Sequence, residues 1–415
     1  MLFKTIRFAL RLLLYAFLLV LIVVNFRLYL PSPLASEATQ LPPTILKQLA
    51  SSRAALERGS PAQMQSLFPE GYVFSYLFHG LTWVEVGLRD PQYQDQAIGE
   101  AQWAMKFVDS EKGREAFPEL PPDHGMFYSA WRADLAAGIF MLQNGSDPNW
   151  KAEFQQQCDA IADVLLDSPT TFPPSYVGAS WPCDTFPGIH AMATYDHVTQ
   201  EARYQNVIDR FKRRSKSSVD SKTGLISHFT DYQIGEPLSP ARATSQTVIL
   251  RTMPDIDPEL AKQQYKQFRS QFFQPLIGLP SVLEFPSGTS GGLGDVDSGP
   301  LIAGRSLSAT VMAIGLAQIY GDKAWGDAIA QTGEAIGCPL TYGTKRTYVF
   351  GLVPIGEQIV AYSYVAKPWF ATAHQVEDEF PLSKFWRLPF HFLSLAIFAF
   401  AIWLIRRRKK PLAAS

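Results

Sequence analysis

Between residues 45 and 366, apolar side chains recur at helical spacing in about twelve consecutive segments, and strand-like alternation is scarce. The segments are 45–58, 71–88, 92–109, 124–143, 149–166, 186–199, 201–217, 242–252, 258–273, 301–320, 323–336 and 355–366. Only residues 347–353 suggest a strand or hairpin. The connections alternate in kind. Some are short turns, such as Asn144-Gly145, which close two helices into an antiparallel pair. Others are long, irregular and rich in Pro, Ser, Gly and aromatic residues, notably 167–184, 228–239 and 280–298.

Short links on one side put the long ones on the other. Six such pairs in a ring make an all-α fold, an (α/α)6 toroid of about twelve helices with the long connections at one mouth. A scatter of separate helical subdomains has the same helix count but gives no reason for the alternation.

The most unusual of the long connections is 291–300, with four glycines, Asp295, Asp297 and Ser298. In an extended segment Asp295 and Asp297 point the same way. Pro300 suits the first turn of the 301–320 helix and Ser298 its N-cap, which places two carboxylates at a helix N-terminus. The plain alternative is a solvated turn whose acids favour the helix dipole.

Both ends of the chain differ from the middle. Residues 12–30 are apolar except for Asn25 and Arg27 and follow Lys4, Arg7 and Arg11. That approaches the ~20 residues needed to cross a bilayer. A cleavable signal peptide is the alternative, with 31–36 as the place for cleavage. The run exceeds an ordinary signal core, which favours an uncleaved anchor. A second apolar run, 388–405, ends in Arg406-Arg-Arg-Lys-Lys410, a strong cytoplasmic marker. Residues 1–11 are therefore expected as a cytoplasmic N-terminus, 12–30 as a transmembrane helix and 31–43 as a linker. A domain at 44–370 then lies outside, in the periplasm or on the outer face of a single membrane. Residues 371–385 are a second linker, 386–405 a second transmembrane helix and 406–415 a cytoplasmic tail. The lipid bilayer is thus one partner. The net charge of −1 gives no electrostatic case for nucleic acid. Cys158, Cys183 and Cys338 are too few and too scattered for a disulfide framework or a metal motif.

Chemistry-bearing residues gather on the long connections. Tyr176 and Trp181 offer flat faces for a sugar ring. Cys183 and Asp184 follow and lead into a helix with His190; Asp184 also fits an N-cap, Cys183 a small buried residue and His190 a core histidine. His228 ends the turn Asp220-Ser-Lys-Thr-Gly-Leu-Ile-Ser and can relay protons near neutrality; its plain reading is a surface histidine. Tyr128, Trp131 and Asp134 share one helical face. Glu70 adds an acid at a helix start, and Arg242 and Arg305 can pair with carboxylates or hold an anionic ligand.

The turn at 220–228, the Trp181-Pro-Cys-Asp184 loop and the Asp297-Ser-Gly-Pro loop resemble elements of the α/α-toroid enzymes. These include the six-hairpin glycosidases and the unsaturated-glycuronyl hydrolases. Linalool dehydratase/isomerase is a more distant likeness, centred on Cys183 and the Tyr195-Asp196 end of its helix. That enzyme works with two neighbouring cysteines, and here Cys183 stands without a second thiol nearby. The resemblance spans roughly 44–366 in architecture and only these short pieces in motif.

The resulting expectation is a membrane-anchored, outward-facing enzyme that acts on a carbohydrate or glycan. Asp184 and Asp297 are the acid/base pair, with Asp295, His228 and Cys183 as further catalytic candidates. Tyr176, Trp181, Tyr128, Trp131, Asp134 and Arg305 are substrate-binding candidates, and neither metal nor cofactor is implied. An acid and base ~6.5–9.5 Å apart invert, and ~5–5.5 Å apart retain. Two alternatives remain: a dehydratase or isomerase of an apolar alcohol using Cys183 with Asp184, and a non-catalytic glycan- or partner-binding module of the envelope.

Overall fold

The structure, a computed structural model, describes residues 2–37, 39–289, 291–372, 376 and 381–407. Most of the basic tail and much of the second linker (373–375, 377–380 and 408–415) lie outside those residues. Sixteen α-helices are present among the described residues. The terminal ones are α1 (Leu2–Arg27) and α16 (Leu388–Arg407). Between them come α2 (Ile45–Glu57), the short α3 (Ser60–Gln65), α4 (Gly71–Arg89), α5 (Gln94–Val108), the short α6 (Glu111–Arg114), α7 (Gly125–Leu142) and α8 (Pro148–Asp167). Then follow α9 (Phe186–Thr199), α10 (Gln205–Ser215), α11 (Ala243–Ile256), α12 (Pro258–Phe272), α13 (Leu307–Ile319), α14 (Lys323–Ile336) and α15 (Pro354–Tyr364).

Helix contacts close a ring. α4 packs on α7, α7 on α9, α9 on α11, α11 on α13, α13 on α15, and α15 back on α4. The outer helices α2, α5, α8, α10, α12 and α14 each pack against the inner helix that follows in sequence or its predecessor. This arrangement is consistent with an (α/α)6 toroid. The inner helices α7, α9, α11 and α13 are each entered through a long connection and left through a short one, the shortest being Asp257 alone between α11 and α12. The N-termini of the inner helices therefore share one mouth. Helices apolar around most of their circumference, such as α4, α7 and α13, are the ones buried inside.

Ion pairs tie the inner ring. Arg251 Nη2 of α11 donates to both Glu85 carboxylate oxygens of α4 at 2.7–2.8 Å, and the guanidinium lies 3.3 Å from the Tyr362 ring centre of α15. His190 of α9 lies between Asp134 of α7 (2.6 Å) and Asp255 of α11 (3.3 Å). Burial works against its charge, but the two carboxylates overcome that and push the imidazole up to about 10. Asp255 also accepts the backbone N–H groups of Trp369, Phe370 and Ala371. Breaking one partner of such a buried set costs ~3–5 kcal/mol.

Three local expectations need correction. The helix expected at 301–320 begins only at Leu307, and its N-cap is Ser306, whose Oγ accepts the Ala309 N–H. Residues 302–305 instead form a turn with Ala303 and Gly304 at positive φ (49° and 79°), where a right-handed helix cannot run. Ser298 caps no helix. The hairpin sits at Leu340–Tyr342 and Lys345–Thr347, turning at Gly343 (φ 56°), and Val349–Gly351 is a 3-10 turn. A second short hairpin pairs Phe229–Thr230 with Pro237–Ser239.

Two helices are long and apolar enough to cross a membrane: Phe8–Arg27 within α1 and Leu388–Ile405 within α16. They pack on each other, and α1 also packs on α14.

Candidate active site at the mouth of the helical ring

Four connections bring charged residues to the mouth, and three of them bring acids. Glu70 precedes α4, Asp184 precedes α9, Arg242 precedes α11, and Glu284, Asp295 and Asp297 precede α13. Local rules shape each approach. In the α8–α9 connection, Tyr176 and Ala179 bridge across a tight turn with Gly178 at φ 74°. Buried Ser175 accepts the Trp181 N–H at 3.0 Å. Pro182 starts a single 3-10 turn that ends at Asp184, and the N-cap of α9 is Thr185, without a side-chain capping bond. The Asp184 carboxylate therefore does not cap the helix.

Asp184 is 7% exposed, and the Cys183 Sγ stands 3.7 Å from its Oδ1. Burial is the main force on this carboxyl. Ser175 opposes it, and the charges of Asp297 and Glu70 reinforce it, lifting Asp184 to about 7. Asp297 is exposed at the mouth. It is pushed up to about 6 by desolvation and by Asp295 and Glu70, against Arg242. Glu70 accepts the Tyr176 hydroxyl at 2.6 Å, and burial, Asp184 and Glu70 hold that phenol in its neutral form. Three carboxylates, Glu70, Asp184 and Asp297, thus act on one another, though ~110 residues separate each from the next in sequence.

A second group flanks them. Arg242 donates through Nε to Glu284 Oε1 at 2.8 Å and through Nη1 to Asp295. Burial opposes the ionised form of Asp295, but Arg242 and the Ser298 backbone more than offset it and hold this carboxyl low. His228 receives Arg242 Nη1 at its Nε2 (3.5 Å), so its proton sits on Nδ1, donated to Ser245 Oγ at 2.6 Å. Burial and then Arg242 drive His228 down to about 4, so it is neutral at physiological pH. Burial raises the Cys183 thiol well above its ordinary value, and Asp184 adds to the effect. At neutral pH that sulfur is a thiol rather than a thiolate nucleophile.

Aromatic rings line the approach. Tyr176 stacks on Phe127 (5.5 Å) and meets Trp181 edge-on (5.4 Å), and Trp181 packs on Phe229 (5.0 Å). Beside Asp295 lies an open cleft of about 1260 Å³, walled by Leu67, Phe68, Phe285, Leu293, Leu352 and Val353 among others.

The other sequence candidates lie elsewhere. Tyr128 is buried and donates to the Val108 carbonyl at 2.9 Å, and Trp131 packs edge-on to Phe74 and Phe78. Asp134 is committed to His190 in the ring core. Arg305 bonds Gln274 Oε1 (2.9 Å) and the Ala303 carbonyl, both of which belong to the cleft wall. His190 is a core histidine, and the described cysteines are all free. Glu284 was not singled out in the sequence; its signal was a lone acid in an apolar run two residues after Val282, inside a long connection.

No protein-family model matches the chain, and no curated protein matches it either. Among solved structures, the chain is similar to a GH76 α-mannanase of Bacteroides thetaiotaomicron, solved as a selenomethionine derivative. Identity is 10% and the TM-score 0.45, over 71% of this chain and 84% of that one. The comparisons lend no support to the likeness to linalool dehydratase/isomerase.

Proposed function

We propose that this chain is a membrane-anchored glycan-processing enzyme, its domain held outside the cytoplasmic membrane by α1 and α16, with Asp184 as general acid and Asp297 as its carboxylate partner. The observation that carries this reading is the state of Asp184. It is a buried carboxyl facing two further acids, with its pKa near neutrality, while Arg242 at the same mouth is engaged by Asp295 and Glu284. A structural acid would have acquired a cation, or used its place ahead of α9 to cap that helix. A carboxyl kept protonated at pH 6–7 is what protonation of a departing glycosidic oxygen requires.

In the proposed step the bond from the anomeric carbon to the leaving oxygen breaks. The Asp184 proton goes to that oxygen. Asp297 either takes a proton from the incoming water or itself attacks the anomeric carbon. In both cases water supplies the new hydroxyl: if Asp297 is the base, the proton it takes passes through solvent back to Asp184, and if it is the nucleophile, the Asp184 carboxylate takes a proton from the water that cleaves the glycosyl ester. Glu70 fixes Tyr176, and Tyr176 and Trp181 give the sugar a face to stack on.

The test is hydrolysis of a panel of oligosaccharides by the full chain in detergent, compared with Asp184→Asn and Asp297→Asn. Both variants should fold and lose at least 100-fold in kcat. NMR of the first-formed anomer distinguishes base from nucleophile for Asp297. Folded variants with unchanged turnover would remove the acid/base assignment. Binding of glycans without turnover by any form would leave a binding module in its place.

A further inference from the structure

The cleft beside the acids does not look like a slot for sugars alone. Its walls are mainly aliphatic and aromatic: Met64, Leu67, Phe285, Leu293, Leu352 and Val353 are among them. Three of these are left in water, with Leu293 96%, Leu352 74% and Leu67 68% exposed. Large apolar side chains clustered on the rim of one cleft mark a surface that meets an apolar partner.

The place of the cleft in the molecule says where that partner comes from. Gln274 and Leu283, at the base of a loop between α12 and α13, belong to its wall. The loop turns back through Leu276 and Leu279, which bridge each other. At the tip, Gly278 has φ 81° and so little room that an added Cβ would lie 2.0 Å from the Trp386 carbonyl and 3.0 Å from Pro389. Pro389 is in the first turn of α16. One short loop therefore forms the cleft wall at its base and touches the head of the C-terminal apolar helix at its tip.

The domain is also fixed to these helices. Arg387 donates to the Leu28 carbonyl (2.8 Å) and to Gln331 of α14 (2.6 Å). Arg27 donates to the Glu334 carbonyl (3.0 Å), and Leu28 and Trp386 are buried against Ala328 and Ala335 of α14. The cleft is consequently held at a set distance from the ends of both helices.

We infer that the substrate is a glycan carried on a lipid of the same membrane, its saccharide at the acids and the first part of its hydrocarbon chain in the cleft. This rests on the glycan-processing reading and on the two terminal helices crossing the bilayer, and it names the substrate class of that site. Asp295 lines the cleft and is two residues from Asp297, so one molecule can reach both regions. Each buried methylene is worth roughly fourfold in affinity.

The experiment uses the full chain in phosphatidylcholine nanodiscs. Paired methyl and dodecyl glycosides of mannose, glucose and galactose are compared as substrates. In parallel, a hexadecyl glycoside with a diazirine at mid-chain is photo-crosslinked. The dodecyl compound of the accepted sugar should show a KM at least tenfold lower than its methyl partner. Leu352→Asp should remove most of that advantage and leave methyl glycoside turnover as it was. Crosslinks should fall on residues 285–304 and 349–355.

Equal KM for both partners, or an equal effect of Leu352→Asp on both, overturns the inference while the hydrolase reading stands. If no glycoside is turned over, the hydrolase reading fails, and the crosslinks still decide whether a lipid tail occupies the cleft. Absence of label in the cleft, with the chain self-associated through it or with the label spread over α1 and α16, also overturns the inference.

Discussion

At the scale of single residues, the informative comparison is between Asp184 and Asp295, two acids at one mouth with opposite fates. Asp295 has Arg242 and the Ser298 N–H and is held low. Asp184 has burial and two like charges and is lifted from 3.8 to about 7. The folded chain therefore binds a proton at Asp184 that the unfolded chain releases between about pH 4 and pH 7. Stability falls as pH rises through that window, and the full cost, of the order of 2–4 kcal/mol, is present above it. Asp184→Asn removes the cost. It is expected to raise the melting temperature by a few degrees at pH 8 and to change it little at pH 4, while abolishing turnover. Calorimetry at the two pH values checks this. A variant destabilised at pH 8 would mean that the carboxylate is held by a favourable contact. The rate profile follows from the same groups. On the proposed roles, turnover needs Asp184 protonated, which is lost above about 7, and Asp297 ionised, which is lost below about 6. A bell with its maximum between these values is expected in kcat/KM, its two limbs belonging to the coupled pair. Asp184 and Asp297 stood out in the sequence because both lie on proline- and glycine-rich connections. Their perturbation was not legible there, because it comes first from burial in the folded mouth and only then from neighbouring charges, among them Glu70, more than 100 residues away from either.

At the scale of elements, periodicity located every helix of the ring, because each inner helix carries a continuous apolar surface and each outer one an apolar stripe. It overran where composition and backbone disagree. Leu301, Ile302 and Ala303 read as helix, yet Ala303 and Gly304 take left-handed conformations. The acid-bearing turn ahead of them is built by reciprocal bonds. Ser298 Oγ accepts the Asp295 N–H at 2.9 Å, and Asp295 Oδ1 accepts the Ser298 N–H at 3.0 Å. Asp297 is presented from within that turn. Gly294 stands against its far end: a Cβ there would lie 2.5 Å from the Gly299 carbonyl and 2.8 Å from Ser298 Oγ. Gly294→Ala should therefore force the turn open and move Asp297. Because the loop is peripheral to the ring core, the melting temperature should change by no more than about two degrees. The expected loss in kcat is at least tenfold, from misplacement rather than from lost chemistry. Unchanged kcat would show that the position of Asp297 does not matter to turnover.

At the scale of the molecule, the two apolar helices are antiparallel, and their contact fixes how the whole chain sits if they span a bilayer. Asn25, near the end of α1, donates to Ser394 Oγ (2.9 Å), near the start of α16, and also pairs with His391. Tyr29 stacks on His391 (5.4 Å between ring centres) and bonds its Nε2 at 2.7 Å. These polar groups lie at the domain end of both helices and satisfy one another, as side chains at a helix–helix seam must when water is scarce. The opposite ends carry Lys4, Arg7 and Arg11 on one helix and the cluster 406–410 on the other in the sequence, and in a bilayer such a bias is expected to retain both ends in the cytoplasm. The hairpin thus makes a joint demand that neither helix makes alone. Alkaline phosphatase fused after Ser415 should be inactive there and a cytoplasm-dependent fluorescent reporter active, with the reverse pattern for insertion at Thr344, at the tip of the 340–347 hairpin. Asn25→Leu combined with His391→Leu should leave this topology intact, because charge rather than the seam sets it. It should weaken the packing of the two helices by ~1–2 kcal/mol, read as easier separation of the helices in detergent. Removal of α1 as a signal peptide would give the opposite result at one point: the mature N-terminus would lie outside, no longer linked to residues 2–27, and mass spectrometry of the purified chain reads that directly.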